Sequence, residues 1–227
     1  KTYGYCPCEY GGTNSKASRP AKQDKYDQNY CFKFGLYGNL LVDGEGKRFI
    51  SELTTRDVTS AAVSKQTGGT AFEIFDDKVR QSVKQTGAAF ELGLAKEGKT
   101  LAELAKNAGI DPKNLEATIA QYNKYAEAGK DPDFNRPGLN AKLKVDKAPF
   151  YAIEITPAIH YYMGGLKFNG KTQVINTSGK PIGGLYAAGE VTGGVHGKNR
   201  LGGNSISETI TFGRLAGENA AAQVLGK

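Results

Sequence analysis

Gly193-Gly-Val-His-Gly-Lys-Asn-Arg-Leu-Gly-Gly-Asn-Ser-Ile206 sets one histidine and one arginine among dense glycines. It follows Leu185-Tyr-Ala-Ala-Gly-Glu190, an apolar strand-like run that ends on a glycine and a carboxylate. Behind it, Ser205 to Leu225 is Ala-rich and apolar at Ile206, Ile210, Leu215 and Val224, which predicts a buried helix. Strand, glycine turn and helix in that order form an α/β element. Upstream, Thr156-Pro-Ala-Ile-His-Tyr-Tyr-Met-Gly-Gly165 carries the other histidine, His160. A guanidinium of fixed charge and an imidazole, set in backbone that other groups can approach closely, are what a site for a small anion beside a flat cofactor requires.

Working back from these blocks, the chain reads as mixed α and β. Phe150-Tyr-Ala-Ile-Glu-Ile is strand-like and enters the glycine-rich region. Leu166-Lys-Phe and Gln173-Val-Ile-Asn flank a turn at Gly170, and Ser178-Gly-Lys-Pro-Ile makes another turn. Asp111-Pro-Lys-Asn-Leu115 has an N-cap Asp and Pro at N1; with Leu115, Ile119, Tyr122 and Ala126 on one face, it predicts a helix over 112–128 ending at Gly129. Thr100-Leu-Ala-Glu-Leu-Ala-Lys-Asn-Ala-Gly109 is a shorter capped helix. Val58 to Lys65 is helix-compatible, Phe72-Glu-Ile-Phe is strand-like, and Asp76 to Val83 opens a helix with acids in its first turn. Gly38 to Ile50 predicts a hairpin of two antiparallel strands around Asp43-Gly-Glu-Gly46. Residues 1–35 are polar and Tyr-rich, without periodicity, and read as irregular.

Thirty Lys+Arg against 23 Asp+Glu give a net charge of +7 over 227 residues. The lysines Lys78, Lys84, Lys106, Lys113 and Lys124 stand singly along helix-like stretches rather than in one block. That pattern favours a solvated face that steers small anions over a nucleic-acid surface. No apolar run approaches the length of a membrane span and no secretory h-region opens the chain, so a soluble protein is expected. The chain begins at Lys1, without an initiator Met, as a piece of something longer would. Cys6-Pro-Cys8 and Cys31 are too few for a disulfide scaffold and read as thiols or one disulfide, not as a metal site. They leave the compartment open.

The blocks His160-Tyr-Tyr-Met-Gly-Gly165, Gly179-Lys-Pro-Ile-Gly-Gly-Leu-Tyr-Ala-Ala-Gly-Glu190 and Gly193 to Ile206, followed by Phe212-Gly-Arg-Leu-Ala-Gly217, resemble the C-terminal part of soluble fumarate reductase flavoproteins. That family shares its flavoprotein fold with succinate dehydrogenases. Gly46-Lys-Arg-Phe-Ile-Ser-Glu-Leu-Thr-Thr-Arg-Asp57 resembles the segment holding the family's proton-donating arginine. The resemblance runs from about Gly38 to the C-terminus. It implies an α+β capping domain over 1–159, followed by the C-terminal part of an α/β FAD-binding domain over 160–227. It also implies FAD as cofactor and a small unsaturated carboxylate as substrate, which takes hydride from flavin N5. His160, Arg200 and the backbone at Gly203 would hold the carboxylate, and Arg56 would be the acid. Tyr161, Gly189, Glu190, Ser205 and Ile206 would line the FAD. An arginine acid is chemically unusual, since free guanidinium has a pKa above ~12. By itself Arg56 would read as a partner of Asp57, His196 as a loop-shaping residue, and Arg214 as the partner of Glu208 or Glu218. Other functions open at this point are a flavin dehydrogenase or oxidase of the same fold, and a non-catalytic cap-like module without flavin.

Two departures qualify the resemblance. The dinucleotide fingerprint Gly-x-Gly-x-x-Gly is absent, so the N-terminal Rossmann half, or a redox donor domain, is expected as a partner, and the chain alone should bind FAD weakly or not at all. Counting back from Arg56 without gaps, the family's Thr-Glu pair falls on Cys31 and Phe32, and its relay arginine on Gly35. With Tyr30, Phe32, Phe34 and Tyr37 nearby, the end of the pocket that would take a second carboxylate reads as rebuilt for an apolar or aromatic group. A monocarboxylate such as urocanate or an aryl-acrylate is the expected substrate.

Overall fold

The computed structural model describes residues 3–8, 37–83, 86–91 and 93–226. The chain divides into two compact units, a larger one of Cys6–Ala158 and a smaller one of Lys1–Tyr5 with Ile159–Lys227. Among the described residues the first sheet has five strands: β1 (Tyr3–Cys8), β2 (Leu40–Val42), β3 (Ala71–Asp76), β4 (Lys96–Gly98) and β5 (Phe150–Tyr162). Its order is β1-β5-β3-β2, and β4 also pairs with β5. In β3 and β5 the antiparallel register sets Ile74 opposite Ala152 and Glu73 opposite Ile153.

Side chains alternate across a strand, so this register divides the core in two. Leu40, Val42, Ile74 and Ala152 face α4 (Leu101–Ala108) and α5 (Pro112–Ala128), where Leu104, Leu115, Ile119 and Tyr122 complete the cluster. Leu41, Ala71, Phe75, Ile153 and Ile155 face the other way, toward Val63 of α1 (Arg56–Val63) and Val79 of α2 (Asp77–Ser82). Ala89 of α3 (Thr86–Glu91) joins that second cluster. The helix ends follow the caps legible in the sequence. The Asp111 side chain accepts from Asn114 N and the Thr100 side chain from Glu103 N, while Gly109 and Gly129 end their helices in left-handed conformation.

Four sequence expectations need correction. Residues 3–8 are not irregular but form β1, whose backbone groups find partners on the edge of β5. Such pairing does not depend on side-chain periodicity; the rest of the 1–35 segment lies outside the described residues. The second strand of the expected hairpin shrinks to one bridge, Val42 with Arg48. Asp43 Oδ1 accepts from Glu45 N and Lys47 N to make the turn, and the chain then bends because Arg48 and Glu52 enter a buried ion network.

In that network Arg48 donates Nε to Glu52 Oε1 at 2.7 Å and Nη2 to Glu52 Oε2 at 2.9 Å. Nη2 also reaches Asp131 Oδ2 at 2.7 Å, and Arg136 Nη1 reaches Glu52 Oε2 at 2.9 Å. Desolvation raises the Asp131 carboxyl, but hydrogen bonds and charge from Arg48 overcome it, leaving Asp131 below the usual carboxylate range. A depressed folded-state pKa gives stability that is present above the ordinary carboxylate value and lost as pH falls through the folded one. The unfolding midpoint should therefore drop at acid pH, and Asp131→Asn should flatten that acid limb in a urea titration repeated across pH.

In the smaller unit, β6 (Gln173–Ile175) and β7 (Pro181–Tyr186) pair antiparallel around the Asn176–Lys180 turn. The Asn176 Oδ1 accepts from Ser178 N and Lys180 N in that turn. The strand expected near Leu185–Glu190 thus starts earlier and stops at Tyr186; Gly189–Val191 is a tight 3-10 turn. The fourth correction concerns α6 (Asn204–Val224). The helix forms where expected, yet Ile206 is 67% and Ile210 66% exposed, and Glu208 is its buried side chain. Among the described residues no apolar partner covers those positions, so the periodicity that predicted burial is unmet here.

Candidate functional site

Backbone pairing holds the glycine-rich blocks together. Leu166 N donates to Val191 O at 2.8 Å and Gly193 N to Leu166 O at 3.0 Å. A Cβ on Gly165 would lie 2.2 Å from Val191 O, and one on Gly193 2.5 Å from Gly165 N. These two glycines therefore serve the approach of one chain segment to the other rather than that of a ligand. Gly203 differs: it opens α6 at φ +86, and a Cβ there would meet nothing within 4 Å.

At this seam Arg200 and His196 pack against Tyr161, which is 7% exposed at the end of β5. The Arg200 guanidinium carbon lies 4.3 Å from the Tyr161 ring centroid. The His196 ring meets it edge-on at 5.6 Å, with Nε2 3.5 Å from the phenol oxygen. Desolvation raises the Tyr161 phenol above its ordinary value; the charges of Glu208 and Glu190 add to the rise and Arg200 opposes it. The phenol therefore stays neutral around pH 7.

Arg200 is 6% exposed. Its Nη1 donates to Leu201 O at 3.1 Å, and its buried Nε has no hydrogen-bond partner. Among the described residues it makes no ion pair. Glu208 Oε1 accepts from Gly189 N at 3.0 Å and lies 3.5 Å from Thr192 Oγ1, tying α6 to the 189–192 turn. Glu190 Oε1 accepts from Tyr162 N at 2.9 Å, which fixes its carboxylate at the exposed lip of the seam.

The structure thus brings together five of the residues expected to hold substrate or cofactor. Tyr161 touches Arg200; Glu190 is tied to the neighbour of Tyr161; Gly189 is held by Glu208; and Gly203 follows Arg200 at the head of α6. Ser205 and Ile206 sit in the first turn of α6, but Ile206 N already donates to Gly203 O at 3.1 Å. His160 lies in β5, with its side chain outside the described residues. Arg56 is half-buried and opens α1 in the larger unit. Cys31, Phe32 and Gly35 lie outside the described residues, as do Tyr30 and Phe34. Arg214 pairs with Glu218 at 2.7 Å, not with Glu208. Sequence reasoning missed Glu208 and the Tyr161–Arg200 stack. A carboxylate between Ile206 and Ile210, the positions read as the apolar face of the helix, was the available signal for the first, and nothing in sequence spacing joins residues 161 and 200.

Among the described residues no cluster of metal-ligating side chains occurs, and no helix is long and apolar enough to cross a membrane. The lip of the seam suits a flat, partly polar cofactor. It offers a fixed carboxylate at Glu190, a helix start without a side-chain cap at Gly203, and exposed apolar surface at Val191, Leu201 and Ile206.

Residues 29–206 match the FAD binding domain family. The chain is 53% identical over 184 residues to a fumarate reductase (cytochrome) of Shewanella frigidimarina, covering 81% of this chain and 32% of that protein. It is 39% identical over 191 residues to the urocanate reductase of Eggerthella lenta, covering 81% of this chain and 31% of that protein. In three dimensions it is similar to the open conformation of a flavocytochrome c3 fumarate reductase, with a TM-score of 0.77 and 39% identity over 98% of this chain and 37% of that one. The chain spans about a third of the length of the curated relatives it matches. It belongs to the FAD binding domain family, as a fumarate-reductase-like flavoprotein whose cofactor is FAD.

Proposed function

We propose that this chain is part of an FAD-dependent reductase of the carbon–carbon double bond of an α,β-unsaturated carboxylate. Residues 1–159 act as an α+β capping domain and 160–227 as the C-terminal part of the FAD-binding domain, with the nucleotide-binding half supplied from outside this chain. The observation that carries the proposal is Arg200, a buried guanidinium with an unpartnered Nε and no carboxylate paired to it among the described residues. An uncompensated buried charge costs several kcal/mol, and an arriving carboxylate removes that cost through charge-assisted hydrogen bonds.

Arg200, His160 and the Gly203 backbone hold the carboxylate and fix the adjoining double bond in one orientation. The chemistry that FAD would supply when bound is hydride donation to one alkene carbon. Arg56 delivers the proton to the neighbouring carbon. Glu190 and Gly189 would hold the cofactor through its hydroxyls, Tyr161 would line it, and the start of α6 at Ser205 and Ile206 would turn a positive helix end toward it.

The substrate is a monocarboxylate with an apolar or aromatic far end, urocanate or an aryl-acrylate. Cys31 and Phe32 at the family's second-carboxylate positions, and a relative named for urocanate reduction, support it. The test is oxidation of a reduced dye by the complete FAD-loaded protein. We expect kcat/KM for urocanate or cinnamate at least about tenfold above that for fumarate, a difference of about 1.4 kcal/mol in transition-state binding. Equal or faster turnover of fumarate would overturn the substrate class, and failure of every unsaturated acid would overturn the reductase.

A further inference from the structure

Among the described residues the Arg200 guanidinium makes one hydrogen bond, from Nη1 to the carbonyl of its own neighbour Leu201. A single bond to an adjacent residue does not by itself fix the guanidinium plane. The guanidinium lies over the ring of Tyr161, whose centroid is 4.3 Å from the guanidinium carbon. Tyr161 cannot turn away in its place. It is 7% exposed, and the edge of His196 abuts its ring at 5.6 Å with an interplanar angle of 73°. A neutral aromatic face attracts a cation through its quadrupole, and a planar guanidinium stacks where an ammonium does not.

We propose that Tyr161 is a positioning residue for Arg200, its ring face setting the plane in which the guanidinium fork meets the substrate carboxylate. This rests on the carboxylate-binding role of Arg200 proposed above and adds to it a specificity device. The ring, not the hydroxyl, does the positioning, with His196 behind it as a backstop. Recognition by a fork held in one plane favours a flat carboxylate over an uncharged carboxamide of the same shape.

The experiment compares Tyr161→Phe and Tyr161→Leu in the complete FAD-loaded protein, with Tyr161→Met as the alternative should the Leu variant not fold. The readouts are KM and kcat for the unsaturated acid, Kd of its saturated product acid, Kd of the matching carboxamide, and Kd of FAD. Loss of the ring in the Leu or Met variant should raise KM and the acid's Kd about tenfold. The carboxamide's Kd should stay unchanged, and Phe should restore the wild-type acid affinity.

Wild-type acid affinity in the Leu or Met variant would overturn the proposal. So would a Phe variant as weak as Leu, which assigns the effect to the hydroxyl, or parallel weakening of acid and carboxamide, which assigns it to general packing. A rise in FAD Kd alone would overturn it too, leaving Tyr161 as a cofactor contact only. Arg200→Ala separates this failure from that of the underlying reading. If Arg200→Ala weakens the acid and Tyr161→Leu does not, only the positioning role falls; if Arg200→Ala leaves acid binding intact, the clamp itself falls.

Discussion

Replacing Arg56 by alanine is expected to lower turnover of the unsaturated acid by about 10²- to 10⁴-fold, the range that a positioned proton donor contributes. FAD should stay bound, because the residues assigned to it belong to the smaller unit and Arg56 opens α1 in the larger one. Stability should not fall with activity. The first turn of a helix is an unfavourable place for a cation, and alanine is the better helix former there. Arg56 therefore occupies a position that helix stability does not call for. The measurement is single-turnover oxidation of the reduced flavin by the acid, beside a urea unfolding curve of the same variant. Wild-type turnover in Arg56→Ala would remove the acid assignment. A loss of turnover matched by a loss of several kcal/mol in stability would make Arg56 a structural residue instead.

Glu52→Ala should destabilise the protein by about 3–5 kcal/mol, the cost of taking one partner out of a buried ion network. Glu52 is 1% exposed and accepts from Arg48, from Arg136 and from Leu41 N. Its removal leaves two buried guanidinium groups short of an acceptor, and Asp131 alone cannot serve both. Burial is also what pushes the neighbouring Tyr122 phenol up to about 12, with Glu52 adding to the rise and Arg136 and Arg48 opposing it. Glu52→Gln, which keeps the shape and one acceptor, should recover part of the loss. The network has a functional consequence as well, since Glu52 anchors the segment Leu53–Thr55 that leads into Arg56. Urea unfolding of both variants tests this, and a shift below about 1 kcal/mol for Glu52→Ala would show that the network is not a support of the fold.

Local chemistry made much of this fold legible. Asp111, Pro112 and Gly129 set the bounds of α5, and Thr100 with Gly109 set those of α4, because capping groups act on backbone a few residues away. The site was legible in part. The order of the glycine blocks pointed to Arg200, Glu190 and Gly203, but spacing could not say which glycines face a ligand. Gly165 and Gly193 face each other's backbone instead. Periodicity went wrong at α6, because an amphipathic pattern tells which face seeks cover and not whether cover is present.

The sequence by itself determined the helices of the larger unit apart from α3, most of its strands, and the family to which the chain belongs. These depend on caps, alternation and short motifs, all encoded within a few residues. Only the tertiary structure decided that β1 joins β5, that Arg48, Glu52, Asp131 and Arg136 form one network, and that Tyr161 lies under Arg200. Arg48 and Glu52 are close in sequence, as are Asp131 and Arg136, but what joins these two pairs, like the other contacts, links residues tens of positions apart or more, and such groups interact strongly only once folding has excluded water around them.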